Sequence, residues 1–158
     1  MRKLIVLLTV VVSGIVAVPA AQADSPHFLK ASATTNTSGA LVCSFKEAGL
    51  GNVPTADITC SATATVVYQC FNNGGNHPKA GNKETVQADV SASGTFPVRN
   101  GQTTGSITVP PPGPGDFSCP NGQTLFLQSV EYQNITISGQ GASADVGSVG
   151  PVTLHIPA

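Results

Sequence analysis

The sequence predicts an all-β domain, an antiparallel immunoglobulin-like β-sandwich of seven to eight strands, with a small β-barrel as the alternative. Apolar and polar residues alternate with a period of two, and after residue 23 no segment repeats apolar residues at helical spacing over three turns. The alternating segments are rich in threonine and valine, which favour strands. Strands with one polar face are typical of antiparallel sheets that pack on each other. The chain has no tryptophan, so the Cys…Trp…Cys spacing of antibody domains is absent.

The first two predicted strands are "LVCSFK" and "ITCSATATVVYQC". In the first, Leu41, Cys43 and Phe45 share one face. In the second, alternate residues over 58–70 share an apolar face, and Val67 is the one apolar residue on the other face. At ~3.3 Å per residue this strand would span about 43 Å, which is long for a small domain. We therefore expect a bend or bulge near residues 62–65, and a change of sheets there is one way to accommodate the length.

The later predicted strands are "TVQADVS", "FPVR", "SITVP", "TLFLQSVEYQNITI" and a closing strand with Val152, Leu154 and Ile156 on one face. The segments "GLGN", "RNGQ", "PPPGPG" and "GQGAS" separate strands and are rich in turn-forming residues. The pair Asn100-Gly101 between "FPVR" and "SITV" predicts a tight hairpin turn.

The first 23 residues have the features of a secretory signal peptide. Two basic residues precede an apolar run over residues 4–18, and Ala-Gln-Ala ending at Ala23 is a small-x-small cleavage site. The apolar run is shorter than the ~20 residues that a membrane span needs. An uncleaved membrane anchor is therefore the less favoured alternative. We expect cleavage after Ala23, secretion to the extracellular space, and one mature domain over residues 24–158.

The charge pattern argues against two classes of partner. The predicted signal peptide holds two of the seven basic residues and none of the eight acidic ones, which leaves a mature net charge of −3. The mature chain has no run of like charge. The electrostatic features of nucleic-acid binding and of anionic-membrane binding are therefore missing. We expect an extracellular protein or an envelope polymer as partner, with no nucleic acid and no membrane.

No catalytic or metal-binding pattern is visible. There is no G-x-S-x-G nucleophile elbow and no H-E-x-x-H zinc motif. The acidic residues form no obvious pair, and His155 falls on the predicted solvent side of the last strand. A calcium site within residues 70–86 would have Glu84 as its only carboxylate, which supports weak binding at most. We predict a non-enzymatic protein without a cofactor or metal.

Four cysteines follow the predicted cleavage site: Cys43, Cys60, Cys70 and Cys119. An even number in an exported chain predicts two disulfides, and zinc ligation is the weaker alternative because no C-x-x-C pair occurs. If the strands that contain Cys43 and Cys60 form a hairpin, both thiols face inward and can pair. Cys70 and Cys119 would then join two loop roots at one end of the domain. The other two connectivities stay open.

The segment "CFNNGGNHPKAGNKETV", residues 70–86, is the candidate recognition loop. Its glycines and asparagines readily adopt positive φ, and its single proline stiffens it. It is either a long polar connection that satisfies its own backbone, or a recognition loop on a rigid scaffold. The candidate recognition residues are Asn72, Asn73, Asn76, His77, Lys79, Asn82 and Lys83.

The second unusual loop is "PPPGPGDFSC", residues 110–119. Its polyproline character is typical of SH3-type ligands, but in an exported protein a stiff connection is favoured. If Cys70 pairs with Cys119, this segment meets the candidate recognition loop at the same end of the domain.

The blocks "GGNHPKAGNKE" and "SCPNGQTL", together with "VEYQNITI", resemble a family of small secreted actinobacterial β-proteins with no assigned activity. The resemblance covers nearly all of the mature chain and implies a bacterial, exported, disulfide-bonded β-protein without catalytic residues. We expect an extracellular or cell-envelope binding or structural module. The alternative, by analogy with small secreted protease inhibitors, is an inhibitor or effector that presents residues 70–86, and Lys79 in particular, to a target enzyme.

Overall fold

A computed structural model describes residues 25–72 and 82–158, which form seven β-strands and no helix. The strands are β1 (His27–Thr35), β2 (Leu41–Ala48), β3 (Thr55–Asn72), β4 (Lys83–Pro97), β5 (Gln102–Val109), β6 (Gln123–Ser138) and β7 (Ser143–Pro157).

The strands form two antiparallel sheets that pack face to face. One sheet has the order β1-β2-β5 and the other the order β4-β3-β6-β7. The chain crosses from one sheet to the other after β2, after β4 and after β5. The predicted all-β sandwich is therefore confirmed.

The hydrophobic core lies between the inward faces of the two sheets. The seven residues of β3 that were predicted to share one face are each no more than 5% exposed. Apolar residues of β2, β5 and β6 complete the core around them. The period-two pattern of the sequence therefore identified the buried face of the longest strand.

Both predicted disulfides are present, but the reason given for Cys43–Cys60 was wrong. The strands β2 and β3 do not form a hairpin, because they belong to different sheets. Both cysteines are fully buried, with Cα atoms 6.4 Å apart, and their disulfide crosses the core. It joins the two sheets, whose backbones approach each other closely enough at this point for a disulfide.

The long strand β3 stays in one sheet over its 18 residues, so the suggested change of sheets was wrong. Its ladder with β4 is unbroken. Its ladder with β6 shifts register between Ser61 and Thr63 and again between Val67 and Tyr68. At both places the extra residue belongs to β6. The expected irregularity near residues 62–65 therefore lies in the partner strand.

Two strands differ from the sequence prediction. The strand β1, "HFLKASATT", was missed because its polar and apolar residues alternate poorly and a bulge lies between Phe28 and Lys30. The segments "TVQADVS" and "FPVR", expected as two strands, belong to β4 and the residues that follow it. A small residue, Gly94, lies inside this strand without interrupting its ladder.

The predicted turn at Asn100-Gly101 is confirmed. Both residues have positive φ, 51° and 69°, as a two-residue hairpin turn requires. Arg99 and Gln102 exchange two backbone hydrogen bonds of 2.8 and 3.0 Å around it. Beyond this turn the strands separate, because β4 continues in the four-stranded sheet and β5 in the three-stranded one.

Candidate recognition site

The candidate recognition loop connects β3 to β4, which are antiparallel neighbours in the four-stranded sheet. Asn72 is exposed where β3 ends, and Asn82 and Lys83 lie where β4 begins. The candidates Asn73, Asn76, His77 and Lys79 lie outside the described residues. The structure therefore defines the root of the loop, and the recognition role of residues 73–81 stays a prediction.

The root of the loop is closed by backbone, side-chain and covalent links. The backbone N–H of Cys70 donates to the carbonyl of Asn82 at 3.0 Å, and the Asn82 side-chain amide donates to Oε1 of Gln123 at 2.9 Å. The disulfide joins Cys70 to Cys119, whose Cα atoms are 5.6 Å apart. Gln123 in turn donates its backbone N–H to the carbonyl of Pro120. Both ends of residues 73–81 are thus joined to β6.

The proline-rich segment packs against the inner side of the same end. The hydroxyl of Tyr68 donates to the carbonyl of Pro112 at 2.8 Å, and Phe117 packs against the core. Burial raises the pKa of Tyr68, so the phenol stays protonated and remains a donor. The root of the candidate recognition loop and residues 110–119 thus lie at the same end of the sandwich, and residues 110–119 contribute to the core rather than only connecting strands.

A group of three rings lies on the outward side of this end, and the sequence analysis did not identify it. The rings of Phe126 and His155 stack with centroids 4.1 Å apart, and Phe71 meets both edge-on, at 5.3 and 4.8 Å. The Gln128 amide lies 3.0 Å from Nδ1 of the His155 ring, which is exposed as predicted. The sequence could have indicated this group, because the alternation along each strand places two large apolar residues, Phe71 and Phe126, at outward positions.

We refer to this end of the sandwich, defined by the Cys70–Cys119 disulfide, the loop root and the three rings, as the loop end. Its described residues provide hydrogen-bonding amides, the exposed imidazole ring of His155 and a fixed base for residues 73–81. These groups suit non-covalent recognition.

A buried carboxylate at the other end of the sandwich was also missed. Glu47 is fully buried, and its oxygens lie against Gly139, just beyond the end of β6. Neither oxygen makes a hydrogen bond of ordinary length and angle with the described residues, although the backbone amide of Gln140 lies nearby. Burial raises the pKa of Glu47 above 4.5, and the nearby Gln140 amide and His27 ring oppose this rise only in part. The series Leu41, Cys43, Phe45 already implied an inward Glu47, because the next alternate residue shares their face.

The part of the chain that the structure describes contains no group of three or more His, Cys, Asp or Glu side chains that could hold a metal ion. His27 lies at the Glu47 end, paired with Ala48 in the β1–β2 ladder, whereas His155 lies at the loop end. The two described histidines are therefore too far apart to act on one ligand.

Comparison of the chain with family models, curated proteins and solved structures gives no match. The molecule is an antiparallel β-sandwich with two disulfides and a long loop of fixed root at one end. The disulfides indicate an oxidising, extracellular environment. Within residues 25–72 and 82–158 there is no helix of the length and apolar character that crossing a membrane requires.

Proposed function

We propose that this protein is a secreted, non-enzymatic binding module of the extracellular space or cell envelope, and that the loop end is its recognition surface. In this proposal the signal peptide is cleaved after Ala23, and the partner is an extracellular protein or an envelope polymer. The two disulfides and the resemblance to small secreted actinobacterial proteins support export.

The observation that carries the proposal is the fixed root of an unusually long hairpin loop. Antiparallel neighbours such as β3 and β4 can be joined by two to five residues, but here their last paired residues are Gln69 and Lys83, which leaves residues 70–82 as the connection. The Cys70–Cys119 disulfide and the Asn82–Gln123 hydrogen bond restrain the two ends of that loop. A longer connection than the strands need, held on a rigid base, is typical of binding loops.

A fixed root also favours affinity. A loop whose ends are already ordered loses less conformational entropy when it binds, so more of the contact energy appears as binding free energy. The exposed His155 ring, stacked on Phe126, lies on the outward side of the same end and provides a planar surface beside the loop root. Recognition would therefore combine amide hydrogen bonds with ring stacking.

The test uses the mature, oxidised protein and purified envelope fractions of the source bacterium, and it measures co-sedimentation. One variant replaces residues 73–81 by glycine and serine at equal length, and a second is His155→Ala. The control is Asn52→Ser with Val53→Ser, two exposed residues between β2 and β3 at the opposite end. We expect the loop variant to lose binding and the control to retain it, with unchanged circular dichroism in both. Equal binding by the loop variant and the unmodified protein would refute the assigned surface.

A second candidate function is supported by the same fixed root. We propose as the alternative an inhibitor or effector that presents residues 70–86 to a target enzyme, because inhibitory loops also depend on a rigid base. The protein is incubated with trypsin-like and subtilisin-like proteases at increasing molar ratio. Stoichiometric inhibition that Lys79→Ala abolishes supports the inhibitor, and full protease activity at molar excess excludes these two enzyme classes as targets.

We also infer that the sandwich is immunoglobulin-like. Support comes from the division of seven strands into sheets of three and four and from the disulfide that joins the sheets. The disulfide here joins the second and third strands, whereas in antibody domains it joins the second and the sixth. An experimental structure with a different strand order would contradict this assignment.

A further inference from the structure

The outer edge of β4 is the least protected strand edge in the described part of the molecule. Natural proteins shorten edge strands or interrupt them with bulges, prolines or charges to prevent pairing with another chain. Here β1 carries a bulge, β5 has eight residues, and β7 has four register shifts and an internal proline, Pro151. By contrast, β4 has 15 residues, a regular ladder with β3, and a proline only at its last position, Pro97.

Two hydrogen bonds identify the backbone groups that β4 presents to this edge. The N–H of Cys70 donates to the carbonyl of Asn82 at 3.0 Å, and the N–H of Val98 donates to the carbonyl of Pro54 at 2.9 Å. Hydrogen-bonded residues alternate along an unbroken antiparallel ladder. Even-numbered residues of β4 therefore bond to β3, and odd-numbered residues direct their N–H and C=O groups away from it. Pro97 is odd-numbered, so the N–H group that proline lacks would have pointed to the free edge, and its absence costs the β3–β4 ladder no hydrogen bond.

The side chains of β4 favour the addition of another strand. Inward-facing Val86, Val90 and Ala92 pack against the core but are only partly buried. Lys83, Thr85, Gln87 and Asp89 face outward and are exposed. A strand with the same alternation would therefore cover the apolar row on the inner side and place polar groups beside polar groups on the outer side.

We propose that this edge pairs with β4 of a second copy of the chain, antiparallel about a two-fold axis at Val86. Lys83 and Asp89 lie three residues on either side of Val86 on the same outward face. The axis therefore places Lys83 of each copy opposite Asp89 of the other, which forms two equivalent ion pairs. In this register the odd-numbered residues face one another, as the free N–H and C=O groups require.

The same register is self-complementary on both faces. Thr85 meets Gln87 on the outer side, and on the inner side the two copies of Val86 meet while the exposed Glu84 lies opposite Ala88. The β4 edge has the symmetry of an isologous dimer, in which each contact occurs twice. The inference goes beyond the proposed binding function, which concerns the loop end.

The first experiment measures the dimer dissociation constant of the mature, oxidised protein by sedimentation equilibrium over a concentration series. Lys83→Asp replaces both attractions by repulsions and is expected to weaken the dimer about tenfold. The charge-swapped double variant Lys83→Asp with Asp89→Lys is expected to restore it. Circular dichroism of each variant confirms that these exposed substitutions leave the fold intact. A protein that stays monomeric, or a dimer unaffected by Lys83→Asp, overturns the proposal.

The second experiment tests the register with a matched pair of cysteine variants. Residues opposite each other on a two-fold axis at a non-hydrogen-bonded pair have Cα atoms about 4.5 Å apart, which suits a disulfide. Val86→Cys should therefore form a covalent dimer under mild oxidation. Val90→Cys shares the same face and residue type but lies opposite residue 82 of the other copy, so it should stay monomeric on non-reducing gels. Cross-linking through Val90→Cys and not through Val86→Cys would overturn the proposed register.

Discussion

The substitution Gly105→Ala tests the contact between the two sheets near the Asn100-Gly101 turn. Gly105 lies on β5 opposite Phe45 of β2, and the Phe96 ring of β4 packs over both. The two phenylalanine rings meet edge-on with centroids 4.9 Å apart. A β-carbon at Gly105 would lie 2.5 Å from Cε1 of Phe96 and 3.0 Å from Cζ of Phe45. The absence of a side chain at this position is therefore what allows the rings to pack.

The expected loss of stability follows from those distances. The Phe96 ring must move by nearly 1 Å to reach an ordinary carbon–carbon separation of ~3.5 Å. Overpacking of this kind costs about 1–3 kcal/mol. Replacing glycine by alanine also reduces the conformational entropy of the unfolded chain, which returns about 0.4–1 kcal/mol. The control Gly113→Ala, whose added carbon meets nothing within 4 Å, shows that entropy effect alone.

The assay is urea denaturation followed by circular dichroism, with the free energy of unfolding obtained by linear extrapolation. We expect Gly105→Ala to be about 1–3 kcal/mol less stable than Gly113→Ala, since the entropy effect is common to both. A second substitution, Phe96→Leu, removes the clash and should reduce the cost of Gly105→Ala in a double-mutant cycle. Equal stability of Gly105→Ala and Gly113→Ala would refute the reasoning, because it would mean that the ring moves aside at no cost.

Three further outcomes are expected. Glu47→Gln should remove a pH dependence of stability: above pH 4.5 the folded state keeps the Glu47 proton that the unfolded chain loses, so the free energy of unfolding of the unmodified protein should fall by up to about 1.4 kcal/mol per pH unit as pH rises from 4.5 through the raised pKa. If that free energy depends on pH in the same way in the protein and the variant, this account is contradicted. Tyr132→Phe removes the buried 2.8 Å hydrogen bond to the carbonyl of Gly39 and should cost about 1–3 kcal/mol in urea denaturation, whereas no measurable loss would mean that this carbonyl finds another donor. Replacing Cys70 and Cys119 together by alanine opens a link across 49 residues and should lower the free energy of unfolding by about 4 kcal/mol without reductant, and an unchanged unfolding midpoint would count against the loop-entropy account.

The sequence predicted the inward row of β3 because burial on one face of a strand leaves a period-two pattern in the chain itself. The same pattern in β2 indicated that Cys43 faces inward, but its predicted pairing with Cys60 depended on a β2–β3 hairpin that the structure does not contain. The same alternation also implied an inward Glu47, but a fully buried carboxylate is rare, so this residue was missed. The strand β1 was missed because its bulge changes the phase of the alternation between Phe28 and Lys30.

The loop end was only partly predictable. The bias towards asparagine and glycine over residues 70–86 identified a long loop, and the cysteines indicated that it meets residues 110–119. The Asn82–Gln123 hydrogen bond and the stacking of His155 on Phe126 join strands far apart in sequence. Nothing in either local segment specifies the other, so these contacts were not visible before the strands were placed.

The sequence by itself determined that this chain forms strands, which faces of most strands are buried, where the tightest turn lies, and that its cysteines pair. These properties depend on neighbouring residues, whose alternation and φ preferences act locally. Only the tertiary structure decided which sheet each strand joins, that Cys43–Cys60 crosses the core, and that β4 is left as a long regular edge. The reason is that backbone hydrogen bonds between strands are the same for every residue type except proline, so strand partners are selected by packing over the whole molecule.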